Sequence, residues 1–273
     1  MKKLLSMTVA LFMIASIGLG VAEAPQKIRV GASPSPHAEV LELVKEDLLA
    51  LGFDLEIVEF TDYVMPNMSL SNKELDANYF QHRPYMETYN ATVSDADKIV
   101  AAIGIHYEPF GIYAGKTASL DALPDGAMIT IADDPSNEMR ALLLLQEAGL
   151  ITLPEGANAG SSLVVLDIVE NPKNLDIREV EASTLPSTLA DADLAVINGN
   201  YAIGAGLSPA TDSVFLEPVE SDTAQFYTNF IVIRPENADA DFVKALETVL
   251  CSEKVKQFMT ENEKFQGGVI PSF

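Results

Sequence analysis

One cysteine, three histidines and no tryptophan stand in a chain of 273 residues. A single thiol, Cys251, closes no internal disulfide, and it lies too far downstream to carry a lipid near the start of the chain. Positive charge is also scarce: 17 Lys and Arg against 40 Asp and Glu leave a formal net charge of −23. A surface of that sign repels phosphate backbones and anionic headgroups, so no nucleic-acid partner is expected. His37, His82 and His106 are scattered, with no i, i+4 pair and no neighbouring cysteine, and they do not read as a zinc site. The chain has no GxSxG, no P-loop, no HExxH and no GxGxxG on a strand-to-helix turn. Nothing therefore demands catalysis, and no cofactor or metal is expected.

What is present begins with Lys2 and Lys3 ahead of an apolar run from about Leu4 to Leu19, closed by small residues. That is the layout of a secretory signal peptide, expected over residues 1–22, and the protein reads as exported. With no cysteine at the end of that segment, the expected location is soluble and periplasmic. Beyond it, strand-like runs alternate with amphipathic helical ones, the pattern of helices packed on a mostly parallel sheet. KIRVGAS (27–33) and FDLEIVEF (53–60) flank a helix expected over 37–52. IVAAIGIH, GIYAG, AMITIA, LAVING and FIVI read as further strands, and a last long helix is expected over 239–261. Asp134-Pro135 marks a helix entry, with Asp as the cap and Pro at the first helical position. So many βα units in an exported chain fit two α/β lobes with a cleft between them. The expected division is 23–108 plus 230–273 for one lobe and 109–229 for the other, with crossings near 107–113 and 225–230.

Four segments look like parts of a binding site. LDANYFQHRPYMETY (75–89) crowds aromatics with Asn78, Gln81, His82 and Arg83; by itself it reads as a strand followed by a turn at Pro84. In DDPSNEMRALLLLQEAGL, Arg140 lies in the first half of an apolar helix, where a cation opposes the helix dipole unless an anion pairs with it. An ordinary surface arginine is the alternative. LAVINGNYA delivers Asn198 and Asn200 at the end of a buried strand, where open α/β folds place ligand contacts, although Asn-Gly also serves a turn. QFYTNFIVI sets Asn229 among aromatic and β-branched residues, where a buried amide needs a partner.

Together with DIVENPKNLDI, LSPATDSVFLE and a GGVIPSF tail, these strings resemble the NlpA/MetQ family of methionine-binding proteins of ABC importers along essentially the whole mature chain. The resemblance implies a type II periplasmic-binding-protein fold with methionine held between the lobes, and an ABC permease with its ATPase as membrane partners. Carried over residue by residue, it implies that Tyr63, Phe80 and Tyr85 wall the thioether with His82 beside them. It further implies that Arg140 holds the carboxylate with Asn137 nearby, and that Asn198 and Asn229 fix the ammonium and carboxylate ends. The family's lipid-bearing cysteine is missing from this sequence. A methionyl dipeptide or another apolar amino acid remains an alternative ligand. An exported hydrolase or lyase using His82 with Asp76 or Glu74, and a structural surface protein, are the alternatives of other classes.

Overall fold

A computed structural model describes residues 24–219 and 226–273; the signal segment expected over 1–22 lies outside the described residues. The first part of the chain forms β1 (Gln26–Ala32), α1 (Glu39–Leu43), α2 (Lys45–Ala50), β2 (Phe53–Glu59), α3 (Val64–Ser71), β3 (Ala77–His82), α4 (Arg83–Thr92) and β4 (Val100–Tyr107). There follow β5 (Gly111–Ala114), β6 (Met128–Ala132), α5 (Pro135–Glu147), β7 (Asp176–Val180), α6 (Leu185–Thr188), β8 (Leu194–Ile197), α7 (Gly199–Gly204), α8 (Pro209–Asp212) and β9 (Ser213–Leu216). The chain ends in β10 (Asn229–Ile233), α9 (Asp241–Leu250), α10 (Glu253–Glu261) and β11 (Ile270–Pro271).

The strands form two sheets, one in the order β11-β4-β10-β3-β1-β2 and one in the order β7-β6-β8-β5-β9. Each sheet is mixed, a correction to the mostly parallel arrangement expected. β1, β2 and β3 run parallel, as do β6, β7 and β8, but β10 is antiparallel to both β3 and β4, and β5 is antiparallel to β8 and β9. The cause is the route of the chain. It leaves the first sheet after β4 through residues 108–110 and rejoins it at Asn229, so β10 starts where β4 ends, with Asn229 opposite His106.

Both faces of each sheet are covered. In the first, Ile28, Val30, Tyr79, Ile103 and Ile231 pack on Val40, Leu41, Leu48, Leu246 and Leu250, while Leu70, Leu75, Met86, Ile99 and Val232 close the other face. In the second, α5 buries Met139, Leu142, Leu144 and Leu145 against Ile112, Ile129, Ile131 and Val196. Each such side chain contributes about 1.5–3 kcal/mol of burial free energy, enough to fix this helix on its sheet. α6 and α7 cover the opposite face, where Leu185 and Ala202 pack with Ala195 and Ile197 of β8.

Three local expectations need correction. The helix expected over 37–52 breaks at Val44 (φ −100°, ψ 3°) into α1 and α2. The one expected over 239–261 breaks at Cys251, where the Ser252 hydroxyl accepts the Val255 amide and starts α10 afresh. Pro84 opens a helix and not a turn: it stands in the first turn of α4, where no intrahelical N–H is required of it. The α4 amides are met instead by His82, whose ring accepts the Tyr85 N–H at 3.2 Å.

Candidate functional site

Where the two sheets face each other, a cavity is lined by Tyr63, Phe80, Gln81, His82, Tyr85, Glu108, Asn137, Arg140, Asn198, Gly199, Asn200 and Asn229. All eight residues singled out in the sequence are brought together here. They come from the N-cap of α3, the C-terminal end of β3, the start of α4, the first two turns of α5, the N-cap of α7 and the first residue of β10. This is the edge of an α/β sheet where strands end and helices start, leaving backbone groups free for a ligand.

One end of the cavity is aromatic. Tyr63 stands 5.7 Å from Phe80, 5.6 Å from Tyr85 and 4.8 Å from Tyr201, measured between ring centroids, and Phe80 meets Tyr85 edge-on at 5.8 Å. Such a box offers polarisable surface suited to an apolar or thioether side chain. Hydrogen bonds tie the two sides of the cleft together around it. The Tyr63 hydroxyl donates to Asn200 Oδ1 at 2.5 Å, the Tyr201 hydroxyl to the Thr61 carbonyl at 3.2 Å, and His82 Nε2 to Asn137 Oδ1 at 3.1 Å.

The other end is polar and dry. Asp134 caps α5 by accepting the Asn137 amide at 3.0 Å, and its second oxygen accepts Asn137 Nδ2 at 2.8 Å, which fixes the Asn137 side chain. Asn137 Oδ1 then receives Asn198 Nδ2 at 2.9 Å as well as His82. Asn198 Oδ1, by contrast, is buried and has no donor among the described residues. Because His82 Nδ1 accepts the Tyr85 amide, the proton sits on Nε2 and the ring is neutral. Burial, and then the Arg140 cation, push its pKa down to about 3.

Arg140 is 3% exposed and fully engaged on one edge. Nε and Nη2 donate to Glu217 Oε1 and Oε2 at 3.2 and 2.5 Å, and Nη2 also reaches the Glu108 carbonyl at 2.8 Å. Tyr227, Phe110 and Tyr107 stack around the guanidinium at 4.2, 4.8 and 5.5 Å. Burial works against its charge, but Glu217 more than offsets that and raises its pKa above the ordinary arginine value. None of these bonds to Glu217 and Glu108 uses Nη1. The anion expected to justify an arginine at this helix start is thus present within the chain.

Chain comparisons now bear on this geometry. The NlpA lipoprotein family model matches residues 28–273. The chain belongs to that family. The D-methionine-binding lipoprotein MetQ of Escherichia coli K12 is 42% identical over 263 residues, covering 94% of this chain and 93% of that protein. A nutrient-binding protein from Burkholderia cenocepacia, solved bound to methionine, superposes with a TM-score of 0.84 at 42% identity, covering 90% of this chain and all of that one. An ABC-transporter periplasmic substrate-binding protein from Coxiella burnetii superposes at 0.82 with 37% identity, over 90% of this chain and all of that chain.

Within this NlpA-family chain, Gly199 and Glu108 line the cavity without having been marked in the sequence, and a second unmarked acid, Glu217, stands behind Arg140. Gly199 must lack a side chain, since a Cβ there would stand 2.8 Å from Glu108 Cβ and Oε2. Glu108 is 5% exposed and groups with His37 and His106, residues far apart in sequence whose ligand-type atoms lie with its own within 4.8 Å. His106 Nε2 stands 2.8 Å and His37 Nε2 3.4 Å from Glu108 Oε1, and His37 Nε2 is also 3.2 Å from Asn229 Oδ1. These oxygens only accept, so each Nε2 carries a proton, and the Tyr79 hydroxyl donates to His106 Nδ1 at 2.5 Å. Both rings are neutral: burial lowers His37 to about 4 and His106 to about 3. The signal that marks both acids is a Glu inside an apolar run, HYEPF and VFLEP. Asp76, one of the acids paired with His82 in the hydrolase alternative, instead accepts the Arg29 amide at 2.8 Å.

Proposed function

We propose that this chain captures methionine as a zwitterion between two α/β lobes outside the cytoplasmic membrane and delivers it to an ABC permease and its ATPase, with no bond made or broken. The observation that carries the reading is the closed cleft cavity with an aromatic box at one end and Arg140 among four asparagines at the other. The methionine found in the Burkholderia cenocepacia relative and the ABC-transporter role of the Coxiella burnetii one support it. Residues 23–108 with 230–273 form one lobe and 109–229 the other. Tyr63, Phe80 and Tyr85, with His82 beside them, enclose the thioether, where each sulfur–aromatic contact contributes about 0.3–1.5 kcal/mol. The carboxylate meets Arg140 Nη1 and the Asn229 amide; the unpartnered Asn198 Oδ1 accepts from the ammonium, and Asn137 orients both Asn198 and His82.

Cys251, the single cysteine, is half-buried where α9 ends, far from the segment where the family's lipid-bearing cysteine stands, and a soluble periplasmic form is part of the proposal. No helix among the described residues is long and apolar enough to cross a membrane.

The test is thermal unfolding of protein refolded from denaturant, scanned against L- and D-methionine, Gly-Met and other apolar amino acids. A ligand specific for the folded state at 100 times its Kd stabilises by about 2.7 kcal/mol, a readable rise in midpoint. A selective rise with methionine is expected. A rise only with Gly-Met would change the substrate, and no rise with any of them would end the importer reading.

A further inference from the structure

Resting on the methionine reading, we infer that Glu108 is the counter-charge for the ligand's α-ammonium and makes a free primary ammonium a requirement of this pocket. Glu108 lines the cavity, is 5% exposed, and stands on the crossing between the sheets rather than on the four segments the sequence marked. Its carboxylate accepts His106 Nε2–H on Oε1 and the Asn200 backbone N–H, while His37 Nε2, 3.4 Å away, is hydrogen-bonded to Asn229 Oδ1. An ionised carboxylate has about four acceptor positions, so these two donors leave room for a ligand's.

No cation among the described residues fills that position. The buried arginine nearby, Arg140, spends Nε and Nη2 on Glu217 and touches Glu108 only through the main-chain carbonyl. His82 and His106 each accept a hydrogen bond on Nδ1 and are neutral, and burial keeps the His37 ring neutral, lowering it to about 4. Arg140 is thus matched by Glu217 behind it, whereas Glu108 has no paired cation among the described residues and burial pushes its carboxyl above the usual range. A buried carboxylate without a cation is costly unless one is supplied. The donorless Asn198 Oδ1 precedes Gly199, and Gly199 packs directly on the Glu108 side chain, so the orphan acceptor and the unbalanced anion belong to one corner. A hydrogen-bonding cation of small size, a primary ammonium, answers both needs. A neutral amide or a ligand lacking nitrogen answers neither.

The experiment is calorimetric titration of ligand-stripped wild type and Glu108→Gln with L-methionine and with 4-(methylthio)butanoate, which lacks only the amine. For wild type, loss of the amine is expected to weaken binding by at least about 30-fold, as for removal of one partner of a buried charge pair. Glu108→Gln is expected to lose a similar factor for methionine while its preference for methionine over the amine-free analogue falls below about tenfold. The wild-type comparison needs no substitution and stands even if the variant folds poorly. Methionine affinity in Glu108→Gln within about threefold of wild type, or equal binding of both ligands by wild type, would overturn the Glu108 role alone. Failure of wild type to bind methionine at all would remove the methionine reading, and this inference with it.

Discussion

Arg140→Ala should damage folding as well as binding, because the structure gives Arg140 a partner inside the chain. The substitution leaves Glu217 buried, 4% exposed, without its cation. Breaking one side of a buried ion pair costs about 3–5 kcal/mol. Glu217 keeps the Tyr107 hydroxyl and the Phe110 amide at 3.0 Å, which places the expected loss near the lower end. For a chain of this size each kcal/mol lowers the unfolding midpoint by roughly 2–4 °C, so a drop of about 6–12 °C is expected by calorimetry. Affinity for methionine should fall as well, by roughly 2–5 kcal/mol. The pair Arg140→Met with Glu217→Leu separates the two effects: an apolar pair of similar volume should restore stability, as replaced buried pairs often do, yet leave binding lost. The reasoning fails if Arg140→Ala unfolds within about 1 kcal/mol of wild type. It fails differently if the apolar pair recovers methionine binding together with stability, since Arg140 would then serve the fold alone.

Acidification should be felt through the three histidines. Their folded pKa values, about 4 for His37 and about 3 for His82 and His106, lie below the ordinary 6.5, with burial the leading cause for each. Below pH 6.5 the unfolded chain takes up protons that the folded chain refuses, so stability is lost as pH falls toward 4, at up to about 1.4 kcal/mol per pH unit for each ring. Ring resonances followed by NMR should show no titration above pH 5, and the urea midpoint should drop between pH 7 and 5; a ring titrating near 6.5 would show it to be solvated. Lipid attachment is checked by growing the producing cells with labelled palmitate: the protein should carry no label and partition to the aqueous phase of a detergent extract, and labelled protein would overturn the unanchored reading.

The parts of the fold legible in the sequence are those governed by local physics. Asp134, Pro135 and Gly149, which takes φ +74°, bound α5 as their chemistry dictates, and the apolar runs became β1, β4, β6, β8 and β10. What was not legible depends on the path of the chain. The mixed sheets follow from where β10 joins the first sheet, between β3 and β4, and no periodicity records that. α4 looked like a turn because its cap is a histidine ring, not one of the usual short polar side chains. Scattered positions hid the meeting of His37 with His106, and Glu217, 77 residues from Arg140 in sequence, gave no sign that it would be the arginine's anion.

The hydrogen bonds around the cavity fall into two sets with different fates when the cleft opens. Arg140 and Glu217 stay together, since α5 belongs to the second sheet and Glu217 directly follows β9, whose Leu216 pairs with Gly111 beside the outgoing crossing. That bond, with the Phe110 amide on Glu217, ties the two crossings to each other and keeps the carboxylate-binding end intact. The contacts that part are Tyr63 to Asn200, Tyr201 to Thr61 and His82 to Asn137, which join groups carried by different sheets. Each is a bond between neutral groups, contributing about 0.5–1.5 kcal/mol net. Water can replace all three in an open cleft. The balance between open and closed forms is therefore small enough for a bound zwitterion to decide it, because the ligand adds charged contacts that only the closed form completes.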